Sequence, residues 1–556
     1  SNTGIGDQAL GANTTGADNT AIGSGALDAN TTADGNTAVG SSCLGANTTG
    51  ADNVAMGEAA LLSNTTAANN TGIGTSALRA NTTGTNNASL GFSSLVANTT
   101  GSNNTALGAY ALDANTTADN NIAIGTAALG ANTTGTENTA VGALALAANT
   151  TADNNEAFGY GALNVNTTGN NNSALGSLAL LDNTTGSSNV AIGRSALENN
   201  TTADNNTAVG RSALKANTTG AINTGVGYLA LAKCTTGSSN VALGYDTLGE
   251  LTTASDNTAV GYAALQASTS ATGLAAFGKG ALRVNTTGSN NTAVGQNALV
   301  ANTTGANNVA LGGQALEAAT TAGNNVAIGY RASSSSTTAN SNTIIGQLAG
   351  SSLTTGSDNI FIGLLAGAHA VAATTAYQNV LIGGYSDVTA VGTANANVLG
   401  YNVSGAQDYT TLGNGANDIR AAHGNITWAT VSDVRVKKDI EDSTVGLNFI
   451  NDLRPVTFNY KNKGDLPTEF RGYEEDSTEV YKSEKSQHGF IAQEVKAAID
   501  KHSNIKDGFS MWDDDDETGQ QRVGETALIP VMTKAIQELS TQVDELKSEL
   551  LALKGE

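Results

Sequence analysis

Along most of this chain the apolar and polar positions recur every seventeen residues. Gly stands at 6, 23, 40, 57 and onward to 363, twenty-two positions at constant spacing. Each is preceded by an apolar residue, from Ile5, Ile22, Val39 and Met56 through Ile362, and Leu follows four residues later from Leu10 to Leu316. Asn stands four residues before the Gly from Asn2 to Asn359, with Leu274 the exception, and a second Asn row runs from Asn13 to Asn217 and returns at Asn285 and Asn302. Helical repeats need about 33 residues to fit two helices, and the Thr pairs and Asn-rich turns disfavour helix. Short strands such as "TAIG", joined by turns, predict a mostly β fold: a parallel β-roll or β-solenoid over residues 1–365, with 22 coils of 17 residues. Like residues then stack in columns, Asn amides bond along the stack, and Gly provides a bend that side chains disfavour. At about 4.8 Å per rung the rod is roughly 100 Å long.

Each coil offers one large aliphatic before the Gly, one Leu and a few Ala. That is little apolar surface to offset the ordering of seventeen residues. Side-by-side association of chains is therefore expected, most simply as a parallel homotrimer with Leu27 and its equivalents near the axis. The reverse arrangement, with the Ile22 column at the seam, fits the pattern equally well.

After Gly363 the spacing changes. "NVLIGGYSD" (379–387) and "NANVLGYNVSG" (395–405) keep the theme, so residues 366–431 read as a β-rich transition or neck. Aromatic and His residues gather there (His369, Tyr377, Tyr385, Tyr401, Tyr409, His423, Trp428), as packing at a change of architecture or as a glycan-binding surface; packing is the expectation. Near the C-terminus Ile529, Met532, Ile536, Leu539, Val543, Leu546, Leu550 and Leu553 alternate spacings of three and four, a sustained a/d seam on a helix over 528–554.

Composition sharpens this division. Residues 1–400 hold 8 Lys and Arg against 20 Asp and Glu, and residues 401–556 hold 17 against 28, within a net charge of −23. An acidic chain without a basic stripe excludes nucleic acid as the expected partner. No signal peptide or apolar span is visible, so no membrane insertion is expected. Ser1 opens in mid-repeat, which reads as a fragment or processed product lacking an N-terminal attachment region. Cys43 and Cys234 lie about eleven rungs apart, too far for a bridge, and Cys43, in a small-residue slot, is read as a buried thiol. "Asn-Thr-Thr" is a glycosylation sequon, but glycans on neighbouring rungs would clash, so a structural ladder is expected. The turn acids (Asp18, Asp34, Asp119, Asp153) lack the calcium β-roll signature, and "WDDDDETG" (512–519) reads as a solvated loop. His488 and His502 have no companion ligands at metal spacing. Neither a metal nor a cofactor is expected.

Four strings in order give the C-terminal region its character: "VSDVRVKKDI" (431–440), "LRPVTFNYK" (453–461), "GFIAQEV" (489–495) and "LIPVMTKAIQELSTQVDEL" (528–546). Together they closely resemble the endosialidase-type intramolecular chaperone that ends phage tail spikes and fibres. The repeats "NTAIGSGAL" and "NVAIGRSAL" (189–197) resemble those of trimeric autotransporter adhesin heads, which implies a left-handed roll. The chaperone resemblance implies that residues 432–556 form an α+β domain ending in a coiled-coil helix, which trimerises, aligns the upstream fibre and cuts itself off after Val431. By that match Ser432 is the nucleophile and Lys437 its base, with Asp433 and Arg435 supporting. Burial, with Arg435 and Lys438 nearby, would favour the neutral amine that Lys437 needs. The implied protein is a tail-fibre-like homotrimer on a virion or cell surface, binding a host glycan or protein receptor. Its enzymatic activity is at most one turnover of autoproteolysis. A tail-spike depolymerase and a cellular surface adhesin built from the same parts are the alternatives; no carboxylate pair at glycosidase spacing stands out in residues 1–365.

Overall fold

The computed structural model describes residues 1–424, 429–430, 434–470, 472–505, 509, 511–513 and 521–555. The chain divides into two compact units, Ser1–Val431 and Ser432–Glu556.

In the first unit every repeat contributes a three-residue strand ending just before its Gly, from Thr3–Ile5 to Ile360–Ile362. Each as far as Thr343–Ile345 pairs in parallel with the strand seventeen residues on, as Thr20 does with Thr37, Ala21 with Ala38 and Ile22 with Val39, and Ile360–Ile362 with the strand twenty residues on. The pairing continues round the coil beyond the strands, since Leu27 N–H donates to Cys43 O, Ala29 N–H to Gly45 O and Thr31 N–H to Thr48 O. Much of the turn backbone is thereby bonded to the neighbouring coil, while other turn N–H groups bond within their own coil, as Ala26 N–H does to Gly23 O and Asn30 N–H to Leu27 O. The stack runs on past residue 365. Val380–Ile382, Asn397–Tyr401 and Tyr409–Asn414 extend it in parallel, giving a solenoid of about 24 coils. Asn417–Ala422 then folds back antiparallel on Tyr409–Asn414.

The seam expectation is corrected here. Leu27, Leu44, Leu61 and their equivalents are fully buried inside their own coil, while Ile22 is 38%, Leu90 48% and Leu175 52% exposed. Alternation along the strand explains it. Asn19 and Ala21 point inward, so Thr20 and Ile22 point outward. Past the Gly bend the chain turns inward again at Ala26 and Leu27. The Leu takes left-handed backbone (φ 50° at Leu27, 51° at Leu44). That costs about 1–3 kcal/mol for an ordinary residue and is offset by complete burial of the side chain.

A second left-handed column falls five residues before each Gly, and the residues there suit it: Asp18 (φ 56°), Asn69 (61°), Asn103 (60°), Asn120 (60°). Ile222 departs from the column. It holds φ 61° with its side chain 62% exposed, a strained state for a β-branched residue. Replacing it with Asn, Ile222→Asn, is expected to stabilise the solenoid by about 1 kcal/mol, read as a rise in the thermal midpoint.

Both Asn rows are internal ladders. In the first, Asn53 N–H donates to Asn36 Oδ1 at 2.9 Å and its amide reaches Ala67 O at 2.9 Å. In the second, the Asn64 amide donates to Asn47 Oδ1 and to its own turn at Ala67 O, both at 2.9 Å. Asn30, Asn47 and Asn64 are fully buried, so these sequons serve as ladder rungs, as expected. The second ladder stops where Cys234, Leu251 and Ser268 occupy its slot. Its direction predicts one orphaned oxygen at the end of each run, and Asn217 Oδ1 and Asn302 Oδ1 are both buried without a partner.

Cys43 fills an Ala slot, donating to Gly57 O, and is a buried free thiol, as expected; Cys234 fills an Asn slot and is a buried free thiol too. Burial pushes the Cys43 thiol up and the Cys234 thiol up to about 11. A group whose folded pKa is raised favours the folded state below its unfolded value and loses that contribution as pH rises through the folded one. Neither thiol should react with a thiol reagent at pH 8 until the chain is denatured, and the melting temperature should fall on moving from pH 9 towards 11.

The second unit is small and α+β. Helices α1 (Leu447–Asp452), α2 (Ala492–Lys501) and α3 (Leu528–Lys554) accompany two short antiparallel pairs, Val456–Phe458 with Gln487–Gly489 and Trp512–Asp513 with Arg522–Val523. Phe449, Val495, Ile499, Met511, Leu528 and Val531 form its core.

Candidate functional site

The region singled out by sequence is the start of the second unit. Val431, Ser432 and Asp433, the expected scissile position, nucleophile and supporting acid, lie outside the described residues. Next comes a single 3-10 turn, Val434–Val436, closed by Lys437 N–H donating to Val434 O at 3.2 Å. Arg435, Lys437 and Lys438 are all exposed. In the single chain, therefore, Lys437 lacks the burial that the resemblance led us to expect.

Beyond this turn the unit is a small scaffold held mainly by α3. The Glu538 carboxylate accepts the Leu447 N–H at 2.8 Å, covering a donor left open at the start of α1. Asp452 at the end of α1 accepts from Lys501 at 3.2 Å and lies 2.9 Å from His502 Nε2. The bonds to His502 and Lys501 hold the Asp452 carboxyl below its usual range. His502 also lies edge-on to Phe449. It is a packing residue, and the sequence reading of it as ordinary agrees. Arg454 grips Glu494 through two nitrogens, a bidentate link between the segment after α1 and α2. Lys496 lies over the Trp512 ring at 5.0 Å. Among the described residues no group of three or more His, Cys, Asp or Glu is placed to hold a metal ion. Most of the acidic run, 514–519, falls outside them.

Helix α3 presents two apolar stripes. Leu528, Val531 and Ala535 pack inward. The a/d seam does not: Ile529 and Ile536 are 63% exposed, and Met532, Leu539, Val543, Leu546, Leu550 and Leu553 are also exposed. From Ile536 onward the helix has almost no cover from its own domain, although most helical stability in proteins comes from packing of an apolar face.

The first unit carries a matching feature. The residue before each Gly is apolar in all twenty-two repeats and faces outward or lies half-buried throughout. A continuous apolar file thus runs along the solenoid, of the kind that marks an association surface.

In the transition region the aromatics pack along the stack. His369 meets Tyr385 at 4.8 Å, Tyr385 meets Tyr401 at 5.4 Å, and Arg420 lies over Tyr409 at 5.5 Å. Trp428 lies outside the described residues.

One feature of the solenoid escaped the sequence reading. Tyr228, Tyr245 and Tyr262, each the residue after a bend Gly, stack face to face at 5.5 and 5.1 Å. Their seventeen-residue spacing was the available signal.

Residues 432–504 match the family model described as chaperone of endosialidase, a peptidase family by its designation (peptidase S74). The match begins at the junction of the two compact units. No curated protein and no solved structure matches the chain.

Proposed function

We propose that the chain is a trimeric fibre of the tail-fibre or tail-spike kind, which attaches a virion to a host-cell surface. Its C-terminal unit drives assembly and then cuts the chain before Ser432. The observation that carries this reading is the family match starting at Ser432, where one compact unit ends and the next begins. Two uncovered apolar surfaces, the outward file of the solenoid and the α3 seam, support assembly from several copies. No helix among the described residues is long and apolar enough to cross a membrane.

The chemistry derives from the position of the nucleophile. Ser432 Oγ attacks the carbonyl carbon of Val431 while Lys437 Nζ takes the hydroxyl proton. Collapse breaks the Val431–Ser432 C–N bond, and the proton passes from Lys437 to the departing amine of Ser432. Val431 is left as an ester on Ser432 Oγ, which water hydrolyses to a free carboxylate and the serine hydroxyl. Lys437 is exposed in the single chain, so packing of neighbouring copies must provide the burial that favours its neutral form. Cutting then comes after assembly, the order a chaperone needs.

Freshly expressed protein should resolve on a denaturing gel into two pieces, residues 1–431 and 432–556. Ser432→Ala and Lys437→Ala should each leave the full 55.5 kDa chain while still assembling. A wild type that remains full length although trimeric would refute the cleavage, and a monomeric wild type would refute the fibre.

A further inference from the structure

The column immediately after the bend Gly carries an unusual run in six consecutive coils: Arg194, Arg211, Tyr228, Tyr245, Tyr262, Lys279. All six side chains are exposed. The Arg211 guanidinium lies 5.8 Å from the Tyr228 ring centroid and the Lys279 ammonium 6.0 Å from that of Tyr262, so a cation closes each end of the tyrosine stack. Between Val190 and Asn285 fall six of the eight Lys and Arg residues of residues 1–400. Two of the other three, Lys215 and Lys233, are already paired with Glu198 and Glu250. The Asp246 carboxylate beside the stack is held by the Gln266 amide.

We propose that this row is a docking strip for an acidic polysaccharide lying along the solenoid. The proposal deepens the attachment reading and rests on it. The tyrosine faces are occupied by one another, so the rings offer edges and phenol hydroxyls to the outside rather than a stacking platform. Hydroxyls at intervals of one rung suit the hydroxyl-rich rings of an extended sugar chain, whose advance per ring is close to that rung. The cations flanking the stack, Arg211 and Lys279, are four rungs apart, roughly 19 Å at the usual strand spacing. Widely spaced charges with neutral hydrogen-bonding groups between them complement a polymer that alternates acidic and neutral sugars. They complement nucleic acid poorly, because its backbone charge is far denser.

The strip and the apolar file flank the same Gly, and their chemistry separates their roles. The file before the Gly is apolar in every repeat, whereas the column after it also admits Asp7, Ser24, Glu58 and Gln296. A column that tolerates such residues is suited to solvent and ligand rather than to the centre of an interface between copies.

The test uses the full chain on surfaces coated with hyaluronate or unsulfated chondroitin, two acidic polysaccharides that alternate charged and neutral sugars, or with dextran or single-stranded DNA. The wild type should bind the two acidic polysaccharides, ignore dextran and bind DNA more weakly, with binding that weakens as salt is added. The triple variant Arg194→Gln, Arg211→Gln, Lys279→Gln should lose at least about tenfold in affinity. A charge-matched control, Lys215→Gln, Lys233→Gln, Arg331→Gln, should change it by less than about twofold. Tyr228→Phe, Tyr245→Phe and Tyr262→Phe together keep the stack, remove the hydroxyls and should weaken binding several-fold. Equal binding by the triple variant and wild type, an equal loss in the control, a preference for DNA, or no binding to either acidic polysaccharide overturns the strip. A wild type that assembles and cuts itself yet ignores both polymers removes the strip and leaves the fibre reading standing. A chain held on the polymers through the strip but monomeric and uncut removes the fibre reading alone.

Discussion

Gly108→Ala is expected to break the solenoid locally and to cost more than about 4 kcal/mol, beyond the range of ordinary substitutions. Two facts act together. Gly108 holds φ 137°, a conformation that L-residues rarely adopt. A methyl group there would also lie 2.6 Å from the carbonyl oxygen and 2.7 Å from the carbonyl carbon of Gly125 in the next coil. Neither atom can retreat, because Gly125 N–H is fixed to Leu107 O at 2.8 Å and the same contact repeats at every rung. Stability in such an array is the sum of each coil and its neighbour interfaces, so the damage should stay local. Hydrogen exchange should show lost protection around Gly91, Gly108 and Gly125, with distant coils unchanged. Gly25→Ala is the matching control. Gly25 is left-handed at φ 67°, and a Cβ there meets nothing closer than 3.7 Å. Its equivalents Ser42 and Ala59 already hold left-handed backbone with side chains, so the cost should be about 1 kcal/mol or less. Similar losses in both variants would mean that the bend is held by something other than the close approach of successive glycines.

The second large effect concerns assembly. In the Ser432→Ala background, which keeps the chain whole, Ile536→Lys with Leu546→Lys is expected to convert the proposed trimer into single chains, a roughly threefold fall in mass by light scattering towards 55.5 kDa. Each seam residue buried between helices contributes about 1.5–3 kcal/mol, and three symmetry-related copies would bring the introduced ammonium groups together in an apolar core. The substitutions leave the domain itself intact, since its core uses Leu528, Val531 and Ala535 on the other face of α3. If cutting requires burial of Lys437 by neighbouring copies, the double variant with Ser432 in place should also remain uncut. Fragments from a monomeric double variant would show that cleavage does not wait for assembly.

How much of this was open to reading from the chain depends on the kind of signal. The start of the second unit, residues 432–504, was recognisable from the first three of four short strings, because a match of ordered motifs does not depend on geometry. The geometry of the cleavage position was not recognisable: Lys437 was expected to be buried and is exposed, since burial depends on what packs over a residue. The tyrosine row had a sequence signal in its spacing, yet stacking and the capping cations became visible only when consecutive coils were superposed.

The seventeen-residue period by itself determined the architecture. A constant Gly, an apolar neighbour and two Asn rows at one spacing permit little except a parallel stack of short coils, because only stacking lets every like residue meet its like. The sequence could not say which aliphatic column faced inward, since Leu27 and Ile22 recur with the same period and similar hydropathy. The tertiary structure decided it through the width of the coil. Through most of the stack the interior admits Ala, Asn and one Leu, so with Asn19 and Ala21 turned inward the strand must turn Ile22 outward. The left-handed backbone at Leu27 brings that side chain back into the space that remains.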